Sequence, residues 1–418
     1  MLQPSCGIDF GTSNSSIAVA DGPSVRLVPV EGDQVTIPSA VFFPRGTMTP
    51  AYGRAATDLF FAKREGRYMR SLKRLLGTAL VKQGTVINGK VMPFDGIIAS
   101  FLQHLKDKTR AVTEGDLQHV VMGRPVHFVD NDPAANARAQ DELEAIARRV
   151  GFKHVAFQYE PIAAAFAHEA NVRGEKLALV VDLGGGTSDF TAIRLSERYL
   201  HKKDRSSDIL ANTGIRVGGN DFDKNLSLAA IMPHLGYRST YGEKNLQVPL
   251  KLYHDLSEWS KINFLYTVKV LSQIRQLLNQ SGDKTRLGRL LRVLETETGH
   301  TLLARVEDTK IALTDRAVHE AAFEFIERGL SIDVRREQFE EAIRGEVERI
   351  AGAATACLGL AGIAPGAVEL VILTGGSTEV PLIQAAFRAL LPNAALAGEN
   401  KLSSVGLGLA YDSRKKFG

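Results

Sequence analysis

Two stretches of this chain place an aspartate at the end of an apolar run and follow it at once with glycine, threonine and serine. One is Asp9-Phe10-Gly11-Thr12-Ser13. The other is Asp182-Leu183-Gly184-Gly185-Gly186-Thr187-Ser188, the same frame with two further glycines. Glycine loses more backbone freedom on ordering than any other residue and packs no side chain. What it allows in return is close approach, so that backbone N–H groups can cradle a phosphate chain. Two such turns facing each other would grip one polyphosphate between them. Asp9 and Asp182 would then face the same point, and carboxylates there suit Mg2+, which keeps several waters and sits on phosphate oxygens. Taken singly, each aspartate reads as a turn or cap residue. Repeated in one frame, the two favour phosphate chemistry.

The elements that must hold these residues follow from the flanking pattern. Residues 5–10 read as a strand, 11–14 as a tight turn and 15–20 as a returning strand; "VVDLGGGTSDFTAI" repeats that plan. A third signal, "VELVILTGGSTEVPLIQAAF" from residue 368, is an apolar strand, then Thr374-Gly375-Gly376-Ser377, then an amphipathic helix. The pattern predicts two related α/β halves, each opening with a glycine-turned hairpin. Between these landmarks, helices are expected over 97–113, 133–150, 161–170 and 335–363, and strands over 119–126, 154–160 and 209–217. Residues 36–96 and 224–306 read as insertions, the latter almost wholly helical. The halves are placed at 1–180 and 181–418, with the last helix returning to the first.

Composition narrows the function. The chain has 418 residues, too many for a single core of ordinary size. A formal net charge of +4 is mild at this length and gives no case for nucleic acid as the main partner. No apolar run reaches membrane-spanning length, and "MLQPSCGIDF" does not read as a signal peptide. Cys6 and Cys357 are the only cysteines and form no C-x-x-C pair, which fits buried thiols in a reducing cytoplasm. No G-x-x-x-x-G-K-[ST] occurs, no G-x-G-x-x-G follows a strand, and nothing suggests a zinc site.

Five motifs in order, "GIDFGTSNSSIAV", "YEPIAAA", "VVDLGGGTSDF", "VGGNDFD" and "LTGGSTEVPLI", resemble the actin-like ATPase superfamily, and within it the DnaK-type, seventy-kilodalton heat-shock chaperones. The resemblance runs from Gly7 to about Ala410 and is greatest to the truncated, YegD-like members. It implies a two-lobed fold of duplicated ribonuclease-H-like domains around a central nucleotide cleft, with ATP or ADP, Mg2+ and, as a further ion, K+. Asp9, Gly11, Thr12 and Ser13 then correspond to the first phosphate loop, and Asp182, Gly184, Gly185, Gly186 and Thr187 to the second. Asp9 and Asp182 would hold the metal through water. Lys73, Glu160, Asp182, Thr187 and Asp189 take the catalytic places, with Lys73 at the γ-phosphate. Gly218, Gly219 and Asp221 resemble the loop beneath the nucleotide. Glu307, Lys310 and Thr314 align with the adenosine pocket, which Gly375, Gly376 and Ser377 close. Pro125 resembles a proline switch linked to the catalytic glutamate. Without the family register, Lys73 is one of six basic residues between Lys63 and Arg74 that read as a solvated helix face.

Two departures stand out. Ile311 and Glu379 occupy positions where the chaperones carry arginines beside the adenine, a loss of about 0.5–2 kcal/mol of cation–π and stacking each. No peptide-binding domain is read after "AYDSRKKFG". The resemblance implies a slowly hydrolysing ATPase switch, a cytoplasmic monomer that meets a client protein or co-chaperone through a lobe surface. A small-molecule kinase of the same superfold, a nucleotide sensor with vestigial hydrolysis and an actin-like filament protein are the competing readings.

Overall fold

The computed structural model describes residues 3–22, 24–113, 116–129, 132–200, 202, 204–397 and 403–418. The first part of the chain forms β1 (Ser5–Phe10), β2 (Asn14–Asp21), β3 (Ser24–Leu27), β4 (His119–Arg124), α1 (Pro133–Arg149), β5 (His154–Tyr159) and α2 (Glu160–His168). The second part forms β6 (Lys176–Leu183), β7 (Ser188–Leu195), β8 (Ile209–Ile215), α3 (Gly219–Leu226), α4 (Gly299–Asp315), α5 (Arg336–Leu360), β9 (Leu370–Thr374), β10 (Ala395–Ala397) and α6 (Ser404–Phe417).

The two halves share one strand plan. One sheet runs β5-β4-β1-β2-β3 and the other β8-β7-β6-β9-β10. In each, the opening hairpin is antiparallel and the crossover strands, β4 and β5 or β9 and β10, are parallel. The central strands read as near-continuous apolar runs because both faces are covered; Ala178 to Val181 of β6 are all buried. Register confirms the repeat. Asp9 pairs with Ser16 and Phe10 with Ser15, while Asp182 pairs with Asp189 and Leu183 with Ser188. The two aspartates therefore occupy equivalent sheet positions, one residue before the turn-flanking end of each first strand.

Helices form where expected. In α1, Asp132 caps the start by accepting from the Ala135 N–H at 2.8 Å, Pro133 sits in the first turn, and Ala135, Ala139, Leu143, Ile146 and Ala147 make the buried stripe. α6 lies against α2 with almost no space. A Cβ on Gly408 would fall 1.7 Å from the Ala163 carbonyl oxygen, so no other residue fits there without displacing a helix.

The chain divides into two compact units. One comprises Met1–Gly218, Ile350–Thr378 and Gln384–Gly418, and contains both five-strand orders; the other comprises Gly219–Arg349 and Glu379–Ile383.

Three local expectations need correction. The basic run from Lys63 to Arg74 is not a helix. Lys63 and Ser71 have left-handed φ of 55° and 61°, Gly66–Arg70 is a strand paired with Ala40–Pro44, and only Leu72–Leu75 makes a short 3-10 turn. Residues 224–306 are mainly helical but include the small hairpin Thr240–Tyr241 with Leu246–Gln247. A second hairpin, Val318–Ala322 with Ser331–Arg335, also escaped the sequence pattern.

Candidate functional site

The site builds up from the two equivalent strand ends. Glu160 is the first residue of α2, buried, and its Oε1 accepts from Lys73 Nζ at 2.5 Å. Both side chains are largely sequestered, at 9% and 8% exposure, so this is a buried ion pair joining residues 87 positions apart. Lys73 reaches it because the left-handed Ser71 ends the preceding strand and starts the 3-10 turn. Asp182 and Asp189 are also buried, and Asp9 is half-buried.

These groups feel one another. Burial raises the Asp9 carboxyl well above the usual range; Glu160 and Asp182 add to the rise and Lys73 opposes it. Burial does the same to Asp182, with Glu160 and Asp189 contributing. Asp189 is lifted to about 7 by burial and then by Glu160, while the Val126 N–H, Thr187 and Lys73 pull it down. Burial alone would lower the Lys73 ammonium, but Glu160, Asp9 and Asp189 together hold it above the ordinary lysine value. Four carboxyl groups thus crowd one ammonium, and burial with mutual repulsion makes three of them hold protons more tightly than an ordinary aspartate. Among the described residues no three histidine, cysteine or carboxylate side chains form a ready cage for a metal ion.

The glycine turns frame the same region. Ser39 Oγ donates to the Gly11 carbonyl at 2.7 Å, and the Ser39 N–H donates to the Ser13 carbonyl at 2.9 Å, bracing the first turn. In the second, the Gly184 N–H donates to the Thr187 carbonyl at 3.0 Å. Gly218 packs edge-on against it: a Cβ there would lie 2.6 Å from the Gly186 nitrogen. Gly375 combines a φ of 83° with a site for Cβ only 2.2 Å from the Leu183 carbonyl oxygen, and 3.2 Å from Asp182 Oδ1. Both its conformation and its crowding demand glycine. Gly376 is exposed, and Ser377 Oγ donates to the Gly184 carbonyl at 3.5 Å. Thus Gly11 to Ser13, Gly184 to Thr187, Gly218 and Gly375 to Ser377 all lie in the first unit with Asp9, Lys73, Glu160, Asp182 and Asp189.

Two participants were not legible in the sequence. Ser39 braces the first turn from a strand edge, and no spacing rule connects it to Gly11. The Val126 N–H donates to Asp189 Oδ1 at 2.8 Å, tying β7 to the segment after Pro125. A backbone donor leaves no side-chain signal to find.

The remaining predicted residues belong to the second unit. Lys310, on α4, pairs with Asp223 of α3 at 2.8 Å and donates to the Gly219 carbonyl at 3.5 Å. Asp223 was not among the predicted residues. Glu307 and Thr314 lie on the same helix, Thr314 donating to the Ile311 carbonyl at 2.7 Å, and Asp221 is half-buried in the first turn of α3. Ile311 is 58% exposed, with its side chain turned from the unit's core.

A duplicated five-strand α/β plan, with acid-ended glycine turns repeated at equivalent positions, defines the actin-like ATPase fold. The family model described as Hsp70 protein matches residues 5–235 and 282–413, and the chain belongs to that family. It is an Hsp70-type nucleotide-binding ATPase.

Proposed function

We propose that this chain is an ATP-binding, slowly hydrolysing switch whose nucleotide state is read out as closure of its lobes. The observation that carries the reading is the buried Lys73–Glu160 pair set among Asp9, Asp182 and Asp189. Backbone N–H groups of Gly11 to Ser13 and Gly184 to Thr187 hold the phosphate chain, with the loop of Gly218, Gly219 and Asp221 beneath the nucleotide. Asp9 and Asp182 suit Mg2+ held through water, with K+ as a further ion; when bound, such a cation neutralises phosphate charge. Lys73 stabilises charge developing on the γ-phosphoryl group, and Glu160 fixes its ammonium so that little reorganisation is needed. Asp189, lifted to about 7, is suited to take a proton from the attacking water, with Thr187 orienting it. Its hydrogen bond from Val126 gives a route from the chemistry to Pro125, as a proline switch requires. Glu307, Lys310 and Thr314 form the adenosine side in this reading, closed by Gly375, Gly376 and Ser377. The partners are nucleotide and a client protein or co-chaperone on a lobe surface, met by a monomer in the cytoplasm. The two cysteines, both buried and free, suit that reducing setting. No helix of the described residues is long and apolar enough to cross a membrane.

ATP turnover by the pure chain, alone and with a panel of sugars and polyols, tests this. Slow, steady phosphate release without an acceptor supports the switch. A phosphorylated acceptor would replace it with a small-molecule kinase, and tight binding without turnover with a nucleotide sensor.

A further inference from the structure

Glu160 is tied through its carboxylate to Lys73, and the strand that delivers it is tied to the last turn of α6. Lys416 Nζ donates to the Phe157 carbonyl at 3.0 Å and to Asp412 Oδ2 at 2.6 Å. The same Asp412 oxygen accepts from Gln158 Nε2 at 3.3 Å, and Gln158 Oε1 accepts from the Tyr159 N–H at 3.0 Å. Phe157, Gln158 and Tyr159, the three residues before Glu160, are therefore held by α6 directly or through Gln158. Four residues earlier on α6, Gly408 meets Ala163 of α2, so this helix contacts the chain on both sides of Glu160.

The Gln158 amide has one workable orientation. The backbone N–H of Tyr159 needs its oxygen, and the Asp412 carboxylate needs its nitrogen. Asp412 is buried and Gln158 half-buried, so removing either leaves a sequestered polar group short of a partner. β5 is an edge strand, and Gln158 supplies the acceptor for the N–H of its last residue. That residue, Tyr159, is the N-cap of α2 and makes no side-chain cap bond of its own. Opposite Gln158 in β4 stands Gly123, where a Cβ would lie 3.3 Å from Glu160 Cγ and 3.1 Å from Leu409 Cδ1. Glu160 thus sits close against β4 and α6, and a small shift of β5 moves its carboxylate relative to Lys73. We propose that Gln158, held by Asp412, is a positioning residue for ATP hydrolysis: it sets the backbone from which Glu160 fixes the Lys73 ammonium. The proposal rests on the reading of this region as an ATP-hydrolysing site. Both residues act through Glu160 rather than on nucleotide, so their work falls on turnover and not on binding.

Two measurements test this on the wild type, Gln158→Leu, Asp412→Leu, Asp412→Asn and the double variant Gln158→Leu with Asp412→Leu. One is steady-state ATPase kinetics; the other is hydrogen exchange, by mass spectrometry, of the peptide spanning Tyr159. Gln158→Leu should lower kcat about ten- to a hundred-fold while KM stays within about two-fold, and should speed exchange at Tyr159. Asp412→Leu should lower kcat in the same way. The double variant should be no slower than Gln158→Leu, because both substitutions cut one chain of contacts. Asp412→Asn keeps an acceptor for Gln158 and should stay within about three-fold of wild type. A wild-type kcat in Gln158→Leu overturns the proposal, as do unchanged exchange at Tyr159, a change confined to KM, or losses that multiply in the double variant. If Gln158→Leu fails to fold by circular dichroism, the Asp412 pair decides: equal losses in Asp412→Leu and Asp412→Asn overturn the proposal. A wild-type chain that hydrolyses ATP no faster than Gln158→Leu removes this inference alone, and one that hydrolyses none removes the ATP reading beneath it as well.

Discussion

Lys73 and Asp189 carry opposite burdens at the residue scale. Lys73 is a buried cation whose charge three carboxylates favour; Asp189 is a buried acid whose charge its surroundings disfavour. If Lys73 takes the place proposed for it at the γ-phosphate, Lys73→Ala should cut single-turnover ATP hydrolysis by orders of magnitude while nucleotide still binds, because there the ammonium would act on charge that develops only in the transition state. Arg64→Ala, on an exposed side chain, should leave turnover near wild type. Equal, mild losses in both variants would return Lys73 to the status of an ordinary basic residue. Asp189 makes a different prediction, in the chain free of nucleotide and Mg2+. Its folded pKa of about 7 lies above the ordinary aspartate value of 3.8, so the folded state keeps a proton that the unfolded state has released. This contribution is fully present at low pH and is lost as pH rises through about 7. Asn at 189 keeps an acceptor for the Val126 N–H and carries no charge. Asp189→Asn should flatten the pH dependence of denaturant stability and exceed wild type at pH 8, by on the order of a few kcal/mol. A variant with the wild-type slope would rule out this electrostatic account of Asp189.

Among the elements, the packing of α6 on α2 fixes where Glu160 can be, because Glu160 opens α2. Gly408→Ala would force a methyl group to within 1.7 Å of the Ala163 carbonyl oxygen, which neither backbone can yield without the helices parting. The expected result is a loss of about 3 kcal/mol or more in urea unfolding; a loss under 1 kcal/mol would show that α6 is not held there. How far such relations were legible in the sequence depended on whether the signal was local. The frame Asp-apolar-glycine-Thr-Ser is local, so both hairpins, their turns and the equivalence of Asp9 and Asp182 could be read directly. Lys73 and Glu160 are 87 positions apart, and only the family register linked them. The basic run misled because residues 63, 64, 67, 70, 73 and 74 fall at helical spacing. Two left-handed residues, Lys63 and Ser71, break that helix, and neither is a glycine that would have announced the break. The buried cluster of Arg205 with Glu169 and Asp208 was equally hidden, since Glu169 joins it from 36 positions away.

At the scale of the whole molecule, the residues proposed for the phosphate chain and three of those proposed for adenosine, Glu307, Lys310 and Thr314, belong to different compact units. The proposed lobe closure requires that nucleotide bind one conformation of the chain more tightly than another, since only differential affinity shifts such an equilibrium. Dye pairs can follow that shift. Lys90 and Lys244 are both exposed, one in each unit, and Lys90→Cys with Lys244→Cys offers two accessible thiols. Cys6 and Cys357 are fully buried, and burial raises both thiol pKa values, so they should react slowly with the dyes. Energy transfer between the dyes should differ among the nucleotide-free, ATP-bound and ADP-bound chains if lobe closure reports nucleotide state. Lys73→Ala in the same background adds a control on chemistry. It should reach the ATP value and stay there, while the parent chain relaxes toward the ADP value as phosphate is released. Identical transfer in all three states would remove lobe closure as the output, even if hydrolysis itself proceeds. Relaxation in the Lys73→Ala chain without phosphate release would uncouple the motion from the chemistry, leaving binding alone as what a partner protein could sense.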